Sequence, residues 1–287
     1  MMKEHVLVIA YIEDNDFLAI EKARDITLPM NPTLDIIQFI KPSDEPNIHQ
    51  EEHIKQLSEN LSENVQRIFE GTSEVNSDVI VSDNIAEWVA KYCDTTAVDL
   101  VIKGGHRSES MFHTPCDFKL MRQIHCPILI ASNKTWKTKA NVLMAIDLSR
   151  EDDIHQQLNS SILNWGEKLS KITHNPLHAV YSIPIAKPLL EFDVVEKDAV
   201  LHKKGRAAQK KMQQLLEKYD LESVSSHIVA GPPDKSISHE ANVLKSDLVV
   251  LGYVDHDGLG KLFAGNTAEK VLHFMRTDCL IIKLPAA

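Results

Sequence analysis

Residues Ser246–Leu284 read SDLVVLGYVDHDGLGKLFAGNTAEKVLHFMRTDCLIIKL. Leu248–Leu251 has the character of a short strand. A glycine-punctuated loop follows, a helix opens near Gly265, and Cys279–Ile282 forms a second apolar strand. Four or five aliphatic residues between polar flanks suit a strand covered on both faces, as in a parallel sheet. Gly252 falls where the first strand ends, and Gly265-Asn266-Thr267 where the helix begins. Backbone N–H groups at a helix start are unpaired and point outward, which makes this a place where an anionic group can bind.

The same grammar occurs twice. VLVIAYIEDND from Val6 matches VLMAIDLSRED from Val142 in character, an offset of 136. DLVIKGG from Asp99 matches DLVVLGY from Asp247 at offset 148, and FHTPCDFKLMR from Phe112 matches FAGNTAEKVLH from Phe263 at offset 151. A duplicated unit of roughly 140 residues has the size of one domain. The drift in offset places about twelve extra residues in the middle of the second half and removes three from the glycine loop of the first.

Half one reads as strands Val6–Ala10, Thr33–Phe39, Ser77–Val81, Leu100–Ile102 and Ile128–Ala131, with helices Phe17–Ile26, Glu51–Phe69 and Ile85–Tyr92. Half two reads as strands near Val142–Ile146, Leu177–Ile183, Val224–Val229, Leu248–Leu251 and Leu280–Lys283, with helices Ile154–Ile172, Lys197–Tyr219 and Lys235–Leu244. Such alternation implies right-handed βαβ units and an open parallel sheet with helices on both faces. Ligands bind such sheets beyond the carboxyl ends of the strands, where the strand order reverses. The domains are expected at 1–133 and 140–287, joined by the polar Ser132–Asn141 stretch. Pro184, Pro188 and the acidic Glu191–Asp193 patch mark the extra segment as a loop or lid.

The totals are those of a globular chain: 287 residues, 43% hydrophobic, 25% charged, net charge −10. That charge opposes non-specific binding to nucleic acid or acidic membrane surfaces. No window approaches 18 uninterrupted apolar residues, and MMKEHVLVIAYIED lacks a secretory pattern, so the expectation is a cytoplasmic protein that does not span a membrane. Cys93, Cys116, Cys126 and Cys279 show no paired spacing and read as reduced, isolated thiols.

These paired halves resemble the universal stress protein family across the whole chain, as two tandem copies. That family's loop after the fourth strand follows G-x2-G-x9-G-[ST]. Here Gly252-Tyr-Val-Asp255 is followed by nine residues and Gly265-Asn266, which keeps the spacing and departs at two positions. GNTAE (Gly265–Glu269) and TPCD (Thr114–Asp117) are similar to the tandem E-type members. The resemblance implies two doubly wound sheets of five parallel strands ordered 3-2-1-4-5. It also implies ATP or another nucleotide-containing ligand, which some members hold and others do not. Carried over residue by residue, its site in half two is Asp147 facing an adenine, with Gly252, Gly265, Asn266 and Thr267 around phosphates.

A plainer reading stands beside each of these. Asn266 and Thr267 are good N-caps, with Glu269 at capping-box spacing. Gly252 can simply shape a turn, and Asp147 can cap the following helix. Asp255 adds negative charge near any phosphate, offset in part by Lys261. Half one lacks the equipment: Tyr11 stands for Asp147, and Thr114-Pro115 replaces Gly265-Asn266 with a residue that has no N–H. It is expected to be scaffold.

No other chemistry is legible. The pairs His49/His53 and His106/His113 lack a third ligand at metal spacing. Cys116, at a helix start, is a thiolate candidate or a small buried hydrophobe, and burial is favoured. No nucleophile motif or Walker sequence is present, so no catalytic residue is assigned. The apolar last strands of the halves are expected at sheet edges, pairing as an intrachain pseudo-dimer. Leu189, Leu190, Phe192, Val194 and Val195 suggest a homodimer surface. The reading is a non-enzymatic stress protein. A nucleotide-using enzyme and an interaction module without ligand are the alternatives.

Overall fold

The computed structural model describes residues 3–10, 17–42, 48–70, 74–104, 116–132, 134–136, 140–192, 195–254 and 267–284. They divide into two compact units, one up to Thr135 and the other Trp136–Leu284.

The amino-terminal unit runs β1 (His5–Ala10), α1 (Leu18–Thr27), β2 (Thr33–Ile40), α2 (Ile48–Ile68), β3 (Val75–Val81), α3 (Ile85–Thr95), β4 (Leu100–Gly104), α4 (Cys116–Gln123) and β5 (Ile128–Ala131). Its strands are all parallel and ordered β3-β2-β1-β4-β5. The central β1, HVLVIA, is buried on both faces after its first residue, whereas the outer β3, VNSDVIV, alternates exposed and covered. This contrast is what a helix-covered centre and a half-open margin require.

The carboxy-terminal unit repeats the plan: β6 (Asn141–Ala145), α5 (Asp153–Thr173), β7 (Leu177–Pro184), α6 (Lys187–Glu191), α7 (Lys197–Glu217), β8 (Ser225–Gly231), α8 (Pro233–Val243), β9 (Ser246–Tyr253), α9 (Thr267–Phe274) and β10 (Asp278–Lys283). Its order is β8-β7-β6-β9-β10, again all parallel. Each unit is therefore a 3-2-1-4-5 doubly wound sheet, as expected. The strand order reverses between β6 and β9, the first and fourth strands of the second unit.

Helix α5 shows how closely the layers meet. It buries His155, Leu158, Asn159, Ile162, Leu163, Gly166 and Leu169, one face repeating every three to four residues. A Cβ on Gly166 would lie 2.3 Å from Met144 Sδ, so only glycine lets the helix approach β6 at that point. The helix starts at Asp152, whose carboxylate accepts from the His155 N–H at 3.1 Å, and stops at His174 in the left-handed region.

Two expectations change, the segment 183–197 and the isolation of the cysteines, while the favoured reading of Cys116 holds. The segment 183–197 was expected to be a loop or lid; β7 extends to Pro184, and α6 then forms with Pro188 in its first turn, where its missing N–H costs nothing. Leu189 and Phe192 there are exposed, and Val194 lies outside the described residues. The cysteines are not all isolated, since the thiols of Cys93 and Cys126 hydrogen-bond each other, lowering the first pKa and raising the second. Burial raises the Cys116 thiol above its ordinary value, which removes the helix-start thiolate. His53 lies on α2, and His106 and His113 fall outside the described residues.

Candidate functional site

The site lies at the strand-order reversal of the carboxy-terminal unit. A cavity of about 320 Å³ is lined by the ends of β6, β7 and β9, one face of α5, and the first turns of α8 and α9. Asp147, Gly252 and Thr267 all line it, so the fold brings together three of the five residues singled out from the sequence. Gly265 and Asn266, with Asp255 and Lys261, lie outside the described residues.

Asp147 follows β6 directly. Its Oδ1 accepts from the Ser149 N–H at 2.8 Å and from the Ser149 hydroxyl at 2.6 Å, an Asx-type turn. Among the described residues its Oδ2 accepts nothing, so half the carboxylate faces the cavity uncommitted. The helix cap is Asp152, not Asp147.

Asp147 is held by a residue the sequence reading did not single out. Asn159, buried on α5, donates from Nδ2 to the Asp147 carbonyl at 2.7 Å and accepts the Asp147 N–H on Oδ1 at 3.1 Å. Its amide satisfies both main-chain groups of a residue that has just left the sheet, which a buried peptide demands. The site carboxylate therefore projects from a fixed backbone.

Tyr181 on β7 was also missed. It is 8% exposed, lines the cavity, and its hydroxyl has no hydrogen-bond partner among the described residues. Burial raises its pKa, and the Asp147 carboxylate adds to the shift, so the phenol stays protonated and can donate. The hydroxyl opens onto the cavity, where an occupant can accept from it. Close by, His155 Nδ1 contacts Asp152 Oδ1 at 2.6 Å, and its Nε2 has no partner among the described residues. That contact holds the Asp152 carboxyl below the usual range.

Gly252 departs from expectation. It lies within β9, paired with Ile282, and not at the strand's end. A Cβ there would meet Leu158 Cδ2 at 2.5 Å and Cγ at 2.8 Å. The glycine makes room first for a side chain of α5, which itself lines the cavity. At the other rim, Thr267 is the first described residue of α9, exposed at the helix start. Glu269 accepts from the Tyr253 hydroxyl at 3.4 Å.

The amino-terminal unit carries different side chains at the matching positions. Aligning DLVIKGG with DLVVLGY puts Lys103 where Leu251 stands, and the FHTPCD match puts Asp117 where Ala268 stands. Leu251 and Ala268 both line the cavity of the second unit. In the first unit Lys103 Nζ meets Asp117 Oδ1 at 2.6 Å and donates to the Gly104 carbonyl at 2.8 Å, with the lysine side chain 1% exposed. A buried ion pair thus stands at two positions whose counterparts in the second unit line the cavity. The other degenerate positions named above, Tyr11, Thr114 and Pro115, lie outside the described residues.

An open parallel sheet with a crevice where its order reverses defines the doubly wound ligand-binding α/β class. Residues 141–283 match the model of the universal stress protein family, and through that half the chain belongs to the family. Universal stress protein E of Salmonella typhi is 30% identical over 191 residues, covering 64% of this chain and 61% of the relative. The chain thus spans about three-fifths of that relative's length. A universal stress protein E homolog of Haemophilus influenzae is 27% identical over 216 residues, 73% of this chain and 70% of the relative. A functionally unknown protein of Pseudomonas aeruginosa PAO1 superposes with TM-score 0.74 at 23% identity, covering 98% of this chain and 93% of that one. A universal stress protein from Archaeoglobus fulgidus superposes with TM-score 0.65 at 13% identity over 98% of this chain and 96% of that one. The two solved structures establish the fold. Among the described residues no helix is long and apolar enough to cross a membrane.

Proposed function

We propose that the chain is a non-enzymatic stress-response protein that binds one nucleotide-containing ligand, ATP or a relative, in the carboxy-terminal crevice. The observation that carries this reading is the contrast between the twins: about 320 Å³ of space rimmed by Asp147 and Tyr181 in one, the Lys103–Asp117 pair in the other. A cavity at the small end of the ligand-site range, apolar inside with a few convergent polar groups, suits a flat base and one sugar. Asp147 Oδ2 would accept from a base amino group or a ribose hydroxyl, and the Tyr181 hydroxyl would donate. Arg150 on the lining and the α9 start at Thr267 offer positive potential to phosphates.

The non-enzymatic part of the reading rests on the side chains present. His155, the imidazole in the cavity, is turned on Asp152, and no serine, cysteine or threonine among the described residues is hydrogen-bonded to it. The amino-terminal unit would serve as scaffold, and exposed Phe192 and Leu189 would form a homodimer contact in the cytoplasm.

Isothermal titration with ATP, ADP and AMP tests the reading. One site per chain is expected, weakened about tenfold or more by Asp147→Ala, the cost of one charge-assisted hydrogen bond. Absence of heat with every nucleotide would leave a partner-binding module without ligand. Phosphate release above buffer level that disappears in Asp147→Ala would replace it with an enzyme.

A further inference from the structure

Away from the crevice, two histidines meet across neighbouring strands of the carboxy-terminal unit. His178 is the second residue of β7 and His227 the third of β8, the outer strand of that unit's sheet. Their Nδ1 and Nε2 atoms are 3.1 Å apart, with ring planes tilted by 40°. The other nitrogen of His227, Nδ1, lies 3.0 Å from Glu240 Oε1 on α8, whose side chain is 12% exposed. The His227 side chain remains 26% exposed, so water reaches the pair.

This chain of contacts sets the protons. Glu240 accepts from His227 Nδ1–H, which leaves the lone pair of His227 Nε2 directed at His178. A carboxylate holding the far nitrogen of an imidazole is the arrangement that orients and strengthens histidine as a metal ligand. We propose that His178 Nδ1 and His227 Nε2 form a surface site for one divalent transition-metal ion of the zinc or copper type, with Glu240 positioning His227 and water completing the coordination.

The distances suit this. Two nitrogens about 2.05 Å from a common ion stand about 2.9 Å apart at a right angle and about 3.3 Å apart at the tetrahedral angle. The observed 3.1 Å falls between them. Ligation asks for a proton shift and a reorientation: the proton on His178 moves from Nδ1 to Nε2, with none gained or lost, and both rings turn by about 40° so that their lone pairs converge on the ion. Among the described residues no third Cys, His, Asp or Glu completes a larger cluster, so the ion would stay open to water or to an outside ligand. The site is independent of nucleotide binding, and either can fail without the other.

Titration of the full chain with Zn²⁺, in a buffer that does not chelate it, reads the site. One ion per chain is expected, with affinity falling about tenfold or more in His178→Ala and by a comparable factor in Glu240→Gln, the range seen when an orienting partner is lost. Circular dichroism of each variant separates loss of the site from loss of the fold. Should His227→Ala unfold, electron paramagnetic resonance of Cu²⁺ on the wild-type chain supplies the answer through hyperfine coupling to two nitrogens. Zn²⁺ affinity unchanged in His178→Ala, or coupling to no more than one nitrogen, would overturn the proposal and leave the pair as a proton-linked hydrogen bond.

Discussion

Replacing Gly252 by alanine separates two roles the residue could have, floor of a ligand site or contact point for a helix. The added Cβ would stand 2.5 Å from Leu158 Cδ2, 2.8 Å from Leu158 Cγ and 3.2 Å from Ile162 Cδ1. Unstrained carbons meet at about 3.5–4.0 Å, so Leu158 must swing away or α5 must lift. Leu158 is 6% exposed and has one open direction, into the cavity. Overpacking of this kind costs about 1–3 kcal/mol. The expected result for Gly252→Ala is a stability loss in that range with weakened nucleotide binding, because the displaced side chain fills the crevice. Leu158→Ala alone should cost about 2–5 kcal/mol through its cavity. Combined, the two changes should cost less than their sum by about 1–3 kcal/mol, since the methyl now sits in vacated space. Urea unfolding of the four proteins closes the cycle. Additive costs would refute the packing argument, as would a Gly252→Ala protein of normal stability that has lost its ligand.

Other outcomes follow from contacts elsewhere in the chain. Asp117→Ala should destabilise the amino-terminal unit by about 3–5 kcal/mol, because it removes a carboxylate 2.6 Å from the buried Lys103 Nζ, whereas the pair Lys103→Leu with Asp117→Ala should be close to neutral in denaturant unfolding. Asp35 accepts from the Tyr92 hydroxyl, from Asn76 Nδ2 at 2.8 Å and from His5 Nε2 at 2.6 Å. Burial pushes its carboxyl up, and the Tyr92, Asn76 and His5 contacts outweigh that and leave it lowered. Its contribution to stability is therefore complete above the unfolded value of about 3.9 and lost as pH falls through the lower folded value. Asp35→Asn should flatten the dependence of unfolding midpoint on pH below about 4. The same contact, after burial, pushes Tyr92 up to about 12, so its phenolate absorbance should emerge only near that pH and return toward 10 in Asp35→Asn.

Much of the fold was readable because it depends on local runs. The apolar runs at Val6–Ala10, Leu248–Leu251 and Leu280–Lys283 are strands in the structure, which extend over the polar flanks His5, Ser246-Asp247 and Asp278. The site was readable in part, because Asp147 and Thr267 lie just past a strand and at a helix start, positions that periodicity locates, whereas Gly252 proved to lie inside its strand. Asn159 and Tyr181 were hidden because their roles are tertiary. Asn159 sits at an apolar-stripe position of α5, four residues after His155 and three before Ile162. A polar amide on that stripe was the available signal, and its meaning depends on which strand end it meets. Tyr181 looks like any aromatic in a strand until the register of β7 beside β6 places it near Asp147. Lys103 did carry a signal: a lysine inside an aliphatic run, opposite a leucine in the twin. The meeting of His178 with His227 depends on a register that no spacing along one chain encodes.

The account stands on the carboxy-terminal crevice holding the ligand while the Lys103–Asp117 pair marks the other unit as scaffold. The stoichiometry and location of nucleotide binding test that most directly, measured by titration of the wild type, Asp147→Ala, Tyr181→Phe, and the Lys103→Leu with Asp117→Ala pair. One nucleotide per chain, weakened by either carboxy-terminal change and unaffected by the amino-terminal pair, is the predicted result. Binding that ignores Asp147 and Tyr181 but disappears with the Lys103–Asp117 pair would contradict it.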